Sequence, residues 1–306
     1  MNFLHLIRYP NLLLIILAQI AVRYGILIPS GADFKLTTFQ FGLLVFASVC
    51  IAAGGNIIND LYDIEIDKVN KPGKVLIGKR FREKQITTLF IILNCIGVGI
   101  GFYISNAIGK SGFAAIFIII SASLYLYASN LKRIFLIGNL LVSILVGLSL
   151  IIIPIFDLLP EITSENRILQ GIVFKMVLNF AGFAFFVNFI REIVKDLLDI
   201  NGDKKGEIQS LPIVLGRKRT MKIVFILGVI LLFSVLRFMY QNLYNQKIPM
   251  LYFLIFLVAP ILFFIIKSWD ADKNKKYRLL SMLLKWIMFF GICAMFLFRF
   301  FPFVLN

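Results

Sequence analysis

Histidine and cysteine are scarce in this sequence. It contains one histidine and three cysteines. The cysteines Cys50, Cys95 and Cys293 lie inside apolar runs, with no spacing typical of metal ligands. We therefore interpret them as small buried apolar residues rather than parts of a metal centre. The single histidine, His5, has no partner residue nearby in the sequence, which argues against a catalytic histidine.

Charge is also scarce, and this decides the class of protein. Only 16% of the 306 residues are charged, 60% are hydrophobic, and the mean hydropathy is +0.91. These values exceed the apolar share of ordinary soluble domains, so the sequence predicts an integral membrane protein. The net charge of +16 could indicate nucleic-acid binding, but apolar runs separate the basic residues. No continuous basic face forms, and we expect no nucleic-acid partner.

The apolar runs predict an all-α, polytopic membrane protein with nine transmembrane helices. A membrane span needs about 20 predominantly apolar residues. The stretches that qualify are 11–29, 39–58, 86–105, 113–129, 134–154, 171–190, 221–240, 249–266 and 279–301. The first is predicted to be a retained span rather than a signal peptide, because no small-residue cleavage site follows it.

The basic residues predict the orientation. Most of the 32 lysines and arginines fall at the N-terminus and in the loops after spans 2, 4, 6 and 8. By the positive-inside rule this side is cytoplasmic, which places the C-terminus outside. Arg23, Arg237 and Lys285 fall within spans, where charges face the bundle interior or extend toward a boundary. We expect a multi-pass protein of a bacterial or archaeal plasma membrane.

Two aspartate clusters stand out against this apolar background. The first reads Asn59-Asp60-x-x-Asp63-x-x-x-Asp67 and the second Asp196-x-x-Asp199-x-x-x-Asp203. The spacing i, i+3, i+7 places the carboxylates of each cluster on one face of a helix. Like charges stacked in this way repel one another, and a divalent cation would relieve that repulsion. We predict metal ligation by all six aspartates, with Mg²⁺ as the ion that carboxylate oxygens suit.

The placement of the clusters predicts that they form one site. Each follows a long apolar run, at the ends of spans 2 and 6. Exactly four spans separate them, so both lie on the cytoplasmic side, in agreement with the charge bias. Mg²⁺ at such a site typically also binds the phosphates of a substrate. The sequence thus predicts a membrane-embedded enzyme acting on a phosphorylated or diphosphorylated lipid.

Basic and amide side chains beside the clusters are candidates for substrate binding. Lysine and arginine commonly complete a diphosphate site, and amides can donate to phosphate. The candidates are Lys68, Lys71, Lys74, Arg191 and Lys195, with Asn56, Asn59 and Asn188. Positive-inside anchoring is the alternative for the basic residues, and interhelical hydrogen bonding is the alternative for the amides. Glu65 and Glu192 fall off the carboxylate faces, so we do not expect them to ligate metal.

Aromatic residues are candidates for a chamber that stabilises a carbocation. An allylic diphosphate that ionises leaves a cation, which aromatic faces stabilise and water must not reach. The candidates are Tyr125 and Tyr127 in span 4, and Phe183, Phe185, Phe186 and Phe189 in span 6. Packing and contact with lipid are the alternative explanation for most of the 32 phenylalanines.

The motifs resemble those of the UbiA superfamily of intramembrane prenyltransferases. Asn59 to Asp67, followed by Asn70-Lys71-Pro72, is similar to its first motif. The stretch from Arg191-Glu192-x-x-Lys195-Asp196 to Gly202-Asp203 is similar to its second. The resemblance implies one domain over 1–306, a central cavity, a cytoplasmic cap over the metal site, and Mg²⁺-dependent transfer of a polyprenyl group from its diphosphate. It implies no obligate protein partner.

The second motif, together with Leu131-Lys132-Arg133, is most similar to the geranylgeranylglycerol-phosphate geranylgeranyltransferase branch. This resemblance implies a polyprenyl diphosphate donor and a lipophilic acceptor, geranylgeranylglyceryl phosphate, with Lys132 among the substrate-binding residues. We expect Asp63 or Asp67 to act as the base and Lys195 to assist catalysis. An aromatic acceptor of quinone or pigment biosynthesis stays open. A cation transporter is the alternative from another class, although its carboxylates would more often lie near the midplane.

Overall fold

The computed structural model describes residues 2–73 and 75–301. The regular secondary structure of this part of the chain is helical, apart from one isolated bridge between Ile77 and Phe81. The α-helices are α1 Asn2–Leu6, α2 Tyr9–Ile20, α3 Thr38–Tyr62, α4 Ile64–Asn70, α5 Glu83–Ala107, α6 Ala114–Ser129, α7 Ile137–Asp157, α8 Arg167–Lys205, α9 Leu211–Leu215, α10 Arg217–Asn242, α11 Lys247–Phe253, α12 Ala259–Trp269 and α13 Asn274–Met295. Two π-helical turns, Ala21–Leu27 and Leu254–Val258, extend α2 and join α11 to α12.

Within the described residues, nine helical segments are long and apolar enough to cross a membrane. They are Tyr9–Leu27, Thr38–Tyr62, Glu83–Ala107, Ser111–Ser129, Ile137–Glu161, Arg167–Lys205, Arg217–Asn242, Lys247–Trp269 and Asn274–Arg299. The predicted all-α fold with nine spans is confirmed. The sixth span differs most from its prediction, because α8 continues for 39 residues. At 1.5 Å per residue α8 is about 58 Å long, whereas the hydrocarbon layer is about 30 Å thick.

The first aspartate cluster does not lie on one helix. α3 ends at Tyr62, Asp63 adopts φ −95° and ψ 5°, and α4 begins at Ile64. The predicted shared helical face of Asp60, Asp63 and Asp67 is therefore wrong. The second cluster agrees with its prediction, since Asp196 to Asp203 lie within the uninterrupted α8. The break allows α4 to turn and pack against α8.

The spanning helices form a closed ring, in which α8 contacts α7, α10 and α13. The ring closes where the first span meets the last. A Cβ atom on Gly25 would lie 2.6 Å from the carbonyl oxygen of Met295. No side chain fits at that distance, so glycine is required for the two backbones to approach this closely.

The end of the bundle opposite the aspartates carries a buried ion pair. Arg23 is 2% exposed and Asp157 0%, with 3.2 Å between Nη1 and Oδ2. Arg23 also donates to the Leu36 carbonyl at 2.6 Å, and Asp157 accepts from the Leu36 amide at 3.0 Å. The rings of Phe34 and Phe41 lie 5.0 and 4.7 Å from the guanidinium carbon. The intramembrane charge at Arg23 is thus almost completely paired inside the protein.

Candidate active site

The carboxylates of the first motif are each held by a basic or amide group. Arg8, which lies between α1 and α2, forms an ion pair with Asp60 at 2.5 Å. Lys132 is 7% exposed and lies 2.7 Å from Asp63. The Asn59 amide donates to the other oxygen of Asp63 at 2.7 Å. Helices that are distant in sequence therefore meet at this motif.

The second motif faces the first from α8. Asp196 accepts a hydrogen bond from the Asn139 amide of α7 at 2.8 Å. Asp203 is 7% exposed. Asp199 forms an ion pair at 3.0 Å with Lys71, which lies at the end of α4. The two motifs are therefore in contact, as the sequence predicted.

One ammonium group joins the two motifs. Lys71 Nζ lies 3.0 Å from Asp199 Oδ2 and 3.7 Å from Asp67 Oδ1. A carboxylate from each motif thus lies within reach of a single cation. Burial raises the pKa of Asp67 above its ordinary value, although Lys71 opposes this effect. Burial alone would lower the pKa of Lys71, but the charge and hydrogen bond of Asp199 together with the charge of Asp67 raise that pKa above its ordinary value.

A backbone clamp fixes α4 against α8. The Asn70 side chain donates to the Asp199 carbonyl at 2.9 Å and accepts from the Gly202 amide at 2.8 Å. A Cβ atom on Gly202 would lie 2.3 Å from Asn70 Nδ2 and 2.7 Å from the Ile66 carbonyl. Glycine at 202 is therefore needed for the approach that brings Asp67 and Asp199 to the same ammonium group.

The residues at this junction fit a divalent cation. The available ligands are oxygen atoms of carboxylates and of the Asn59 amide, which suit Mg²⁺ rather than a softer metal. In residues 2–73 and 75–301, no three acidic, histidine or cysteine side chains already enclose an ion position. The carboxylates instead contact the cationic groups of Arg8, Lys71 and Lys132. A positive charge is thus favoured at each motif and, at Lys71, between them.

A cavity of about 260 Å³ begins beside the motifs and extends into the bundle. Its lining comes from α2, α3, α6, α7, α8 and α13. On α3 the lining reaches Asn59 and on α8 it reaches Lys195, each one residue before the first aspartate of a motif. Farther from the motifs the lining becomes apolar, with Phe117 and Ile152 among its residues. The cavity therefore joins a polar end, which lies next to the two motifs, to an apolar interior suited to a hydrocarbon chain.

The UbiA prenyltransferase family model matches residues 16–300. The chain belongs to this family. The digeranylgeranylglyceryl phosphate synthase of Methanosphaera stadtmanae is 30% identical over 258 residues, which cover 80% of this chain and 86% of that protein. The synthase of the same name from Saccharolobus solfataricus is 32% identical over 232 residues, covering 76% of this chain and 74% of that protein.

Solved structures of UbiA-type proteins share the fold. A structure described as that of a digeranylgeranylglyceryl phosphate synthase in membranes has a TM-score of 0.63 and 26% identity, with 97% of both chains covered. A UbiA homologue from Archaeoglobus fulgidus bound to DMAPP and Mg²⁺ has a TM-score of 0.58 and 16% identity, covering 96% of this chain and 99% of that chain. The helical membrane architecture is thus that of the family, whereas the predicted cytoplasmic cap stays a prediction.

The amide and basic candidates of α3 and α8 lie at the cavity. The lining includes Asn56, Asn59, Asn188, Arg191 and Lys195. Asn56 donates to the Ile7 carbonyl at 3.0 Å, and Asn188 donates to Ser143 at 3.3 Å. Lys195 lies 2.6 Å from Glu192, which also lines the cavity. Both hydrogen-bonding and ligand-facing roles are open to these residues.

Several candidates lie away from the cavity. Lys68 is 55% exposed and pairs with Glu65, so it does not reach the carboxylates. Tyr127 lines the cavity, but Tyr125 is 42% exposed and its hydroxyl lies 3.2 Å from that of Tyr62. Residues two apart on a helix face different sides, which explains the difference. Lys74 lies outside the described residues.

The predicted aromatic chamber of span 6 is also wrong. Phe183, Phe185 and Phe186 line a different, largely apolar pocket between α8, α10 and α13. Phe189 stacks on Phe185, with ring centroids 6.1 Å apart. The aromatic lining of the motif-side cavity comes instead from Phe117 and Tyr127 of α6. Composition alone could not assign these phenylalanines to one face of α8, because apolar residues surround that helix on both sides.

Sequence reasoning missed four polar residues at the site. Arg8 and Asn139 contact motif carboxylates, and Asn70 clamps α4 to α8. Lys285, on α13, lines the cavity. A charge within an apolar span was a signal for Lys285, since such charges commonly mark functional positions. Arg8 offered no comparable signal, because it precedes the first span among other interfacial residues.

Proposed function

We propose that the chain transfers a geranylgeranyl group from its diphosphate to geranylgeranylglyceryl phosphate, forming an ether, with Mg²⁺ as cofactor. The observation that carries this proposal is the junction at Lys71, where carboxylates from both motifs share one cation, together with a largely apolar cavity whose lining begins at Asn59 and Lys195, next to those motifs. The names of the related synthases support the choice of acceptor. In this proposal residues 1–306 form a single catalytic domain, and the mouth faces the cytoplasm of an archaeal or bacterial cell.

The metal-holding residues in this proposal are the six aspartates of the two motifs, Asp60, Asp63, Asp67, Asp196, Asp199 and Asp203. When bound, Mg²⁺ neutralises charge on the departing diphosphate. Lys71 and Lys132 lie among these carboxylates and provide charge-assisted donors to phosphate oxygens. Lys195, at the cavity boundary, is placed to assist departure of the leaving group.

The apolar part of the cavity holds the hydrocarbon chain of the donor and limits access of water to C1. During transfer the bond between C1 and the diphosphate oxygen breaks, and the electron pair leaves with the diphosphate. The acceptor hydroxyl oxygen bonds to C1, and its proton passes to Asp63 or Asp67.

The test uses purified protein in detergent with labelled geranylgeranyl diphosphate and Mg²⁺. Geranylgeranylglyceryl phosphate, 4-hydroxybenzoate, homogentisate and dihydroxynaphthoate are supplied in parallel. We expect a labelled ether with the first acceptor and no product when EDTA is present. A product with an aromatic acceptor would assign the protein to quinone or pigment biosynthesis. Absence of any product, with cation flux in liposomes, would favour a transporter.

A further inference from the structure

Three of the basic residues within the spans, Arg23, Arg237 and Lys285, have different surroundings. Arg23 is paired with Asp157 in the interior. Arg237 is exposed on the outside of α10. Lys285 alone lines the motif-side cavity, and no described residue forms a hydrogen bond or ion pair with it. Lys285 is partly buried and has no carboxylate partner, which is an unfavourable arrangement within a membrane span and favours the binding of an anion.

Arg191 is a second cationic residue in this part of the cavity, and most of its hydrogen-bonding capacity is unused. It lines the same cavity and is 17% exposed. Its ion pair with Glu192 is long, at 3.8 Å, and its buried Nε has no hydrogen-bond partner. Arg191 and Lys285 also lie close enough for their charges to repel each other. A guanidinium has five donors, so most of the binding capacity of Arg191 is free.

The charge balance of the lining requires an anion. Its basic residues are Arg8, Arg191, Lys195 and Lys285, and Glu192 is the single carboxylate among the described lining residues. Asp60 pairs with Arg8. Glu192 serves both Lys195 at 2.6 Å and Arg191 at 3.8 Å. Lys285 is left without a carboxylate partner at a partly buried position inside a membrane span, where an unpaired charge is unfavourable.

The depth of these cations separates them from the carboxylates. Arg191 precedes Asp196, the first aspartate of the motif, by five residues on the uninterrupted α8, which is about 7.5 Å along the helix axis, and it precedes Asp199 by about 12 Å. The proposed donor diphosphate belongs at the carboxylates, where divalent cations are favoured. The proposed acceptor carries a phosphate monoester of its own. Lysine and arginine recognise such a group directly, through charge-assisted hydrogen bonds and without metal.

We propose that Lys285 and Arg191 form a metal-independent subsite for the phosphate of the acceptor lipid. This inference rests on the proposed function and adds a second anion site to it. A phosphate held there would distinguish the acceptor lipid from an otherwise equal alcohol. The subsite accounts for a lysine inside an apolar span that the aspartate motifs do not need.

The test compares wild type, Lys285→Met and Lys285→Arg, with Arg237→Met as the control for removal of an intramembrane charge. Steady-state KM values are measured separately for geranylgeranyl diphosphate and for geranylgeranylglyceryl phosphate. Binding of the acceptor is also measured in EDTA without donor, and geranylgeranylglycerol serves as the acceptor that lacks phosphate.

We expect Lys285→Met to raise the acceptor KM and the acceptor Kd in EDTA about tenfold or more. The donor KM should change less than about twofold, and geranylgeranylglycerol should bind equally to both proteins. Lys285→Arg should retain most of the affinity, and Arg237→Met should match wild type. A rise of the donor KM as large as that of the acceptor KM would assign Lys285 to the diphosphate instead and overturn the inference.

Wild-type protein alone also provides a decisive readout if a variant does not fold. In EDTA it should bind geranylgeranylglyceryl phosphate at least about tenfold more tightly than geranylgeranylglycerol. Equal affinities would overturn the subsite even if the enzyme forms the ether. Failure of wild type to form any ether under Mg²⁺ would instead count against the proposed function, so the two failures can be told apart.

Discussion

The two ends of this bundle use the same ion-pair chemistry for different purposes. At one end Arg23 and Asp157 are buried and hydrogen-bonded to the Leu36 backbone, and aromatic rings cover the arginine. At the other end the motif carboxylates contact cations at half-exposed positions, and Lys71 is shared between Asp67 and Asp199. The first arrangement is paired within the protein apart from Arg23 Nε, whereas the second leaves charge available to a ligand. We therefore expect the buried pair to stabilise the fold and the shared charges to bind substrate.

The largest effect is expected at the closed end. Arg23→Met leaves Asp157 as an uncompensated buried charge, so we expect unfolding free energy to fall by about 3–5 kcal/mol. Thermal or denaturant unfolding in detergent measures this loss. The double variant Arg23→Met/Asp157→Leu should recover most of it, because an apolar pair can replace a buried ion pair. Equal stability of Arg23→Met and wild type would contradict the comparison.

The next largest effect is expected at the open end, on activity. Asp63→Asn keeps the shape of the side chain but removes its charge beside Lys132. We expect prenyl transfer to fall about 100-fold or more, because a metal site supplies several kcal/mol of transition-state stabilisation. The melting temperature should also fall, because the nearly buried Lys132 loses its charged partner, so activity is compared at a temperature at which the variant is folded. The matched control is Asp272→Asn, an exposed aspartate paired with Lys276, which should keep wild-type turnover.

The junction between the motifs can be broken without touching a carboxylate. Gly202→Ala places a methyl group against Asn70 and the Ile66 carbonyl. We expect a loss of about 1–3 kcal/mol in stability and a higher Mg²⁺ requirement for activity, measured by metal titration. Gly171→Ala on the same helix meets no atom within 4 Å, so it should behave as wild type. An unaltered Mg²⁺ requirement in Gly202→Ala would show that the clamp does not position the site.

The smallest effect is expected at Lys68. This lysine pairs with Glu65 at an exposed position, and such pairs contribute about 0–1 kcal/mol. Lys68→Ala should therefore change KM for the diphosphate less than twofold, whereas Lys71→Ala should raise it about tenfold. Equal effects of the two substitutions would remove the distinction between anchoring lysines and the shared lysine.

The sequence was most informative where one physical signal dominated. Apolar runs of sufficient length located the nine spans, and the even number of spans between the aspartate clusters predicted their meeting. Local spacing was less informative at Asp63, where packing of α4 onto α8 through Gly202 overrides helical periodicity. The predicted helical spacing of Asp196 to Asp203 is observed, because α8 has no such break.

Side-chain direction was the main source of error. Tyr125 and Tyr127 are the same residue type and lie in the same span, but only Tyr127 lines the cavity. Arg8 and Lys285 reach the site through the closure of the helix ring, which brings the first and last spans together. That closure depends on contacts between distant parts of the chain, which a single sequence without its fold does not display.

The most direct test of the account is a double-mutant cycle between Asp67 and Asp199. The Mg²⁺ concentration for half-maximal prenyl transfer is measured for wild type, Asp67→Asn, Asp199→Asn and the double variant. We predict that each single variant raises this half-maximal Mg²⁺ concentration about tenfold or more. Because both carboxylates belong to one site, the double variant should raise it by much less than the product of the two single increases. An increase in the double variant that equals the product of the two single increases would show that the two motifs do not form one metal-dependent site. An unchanged Mg²⁺ requirement in the single variants would show the same.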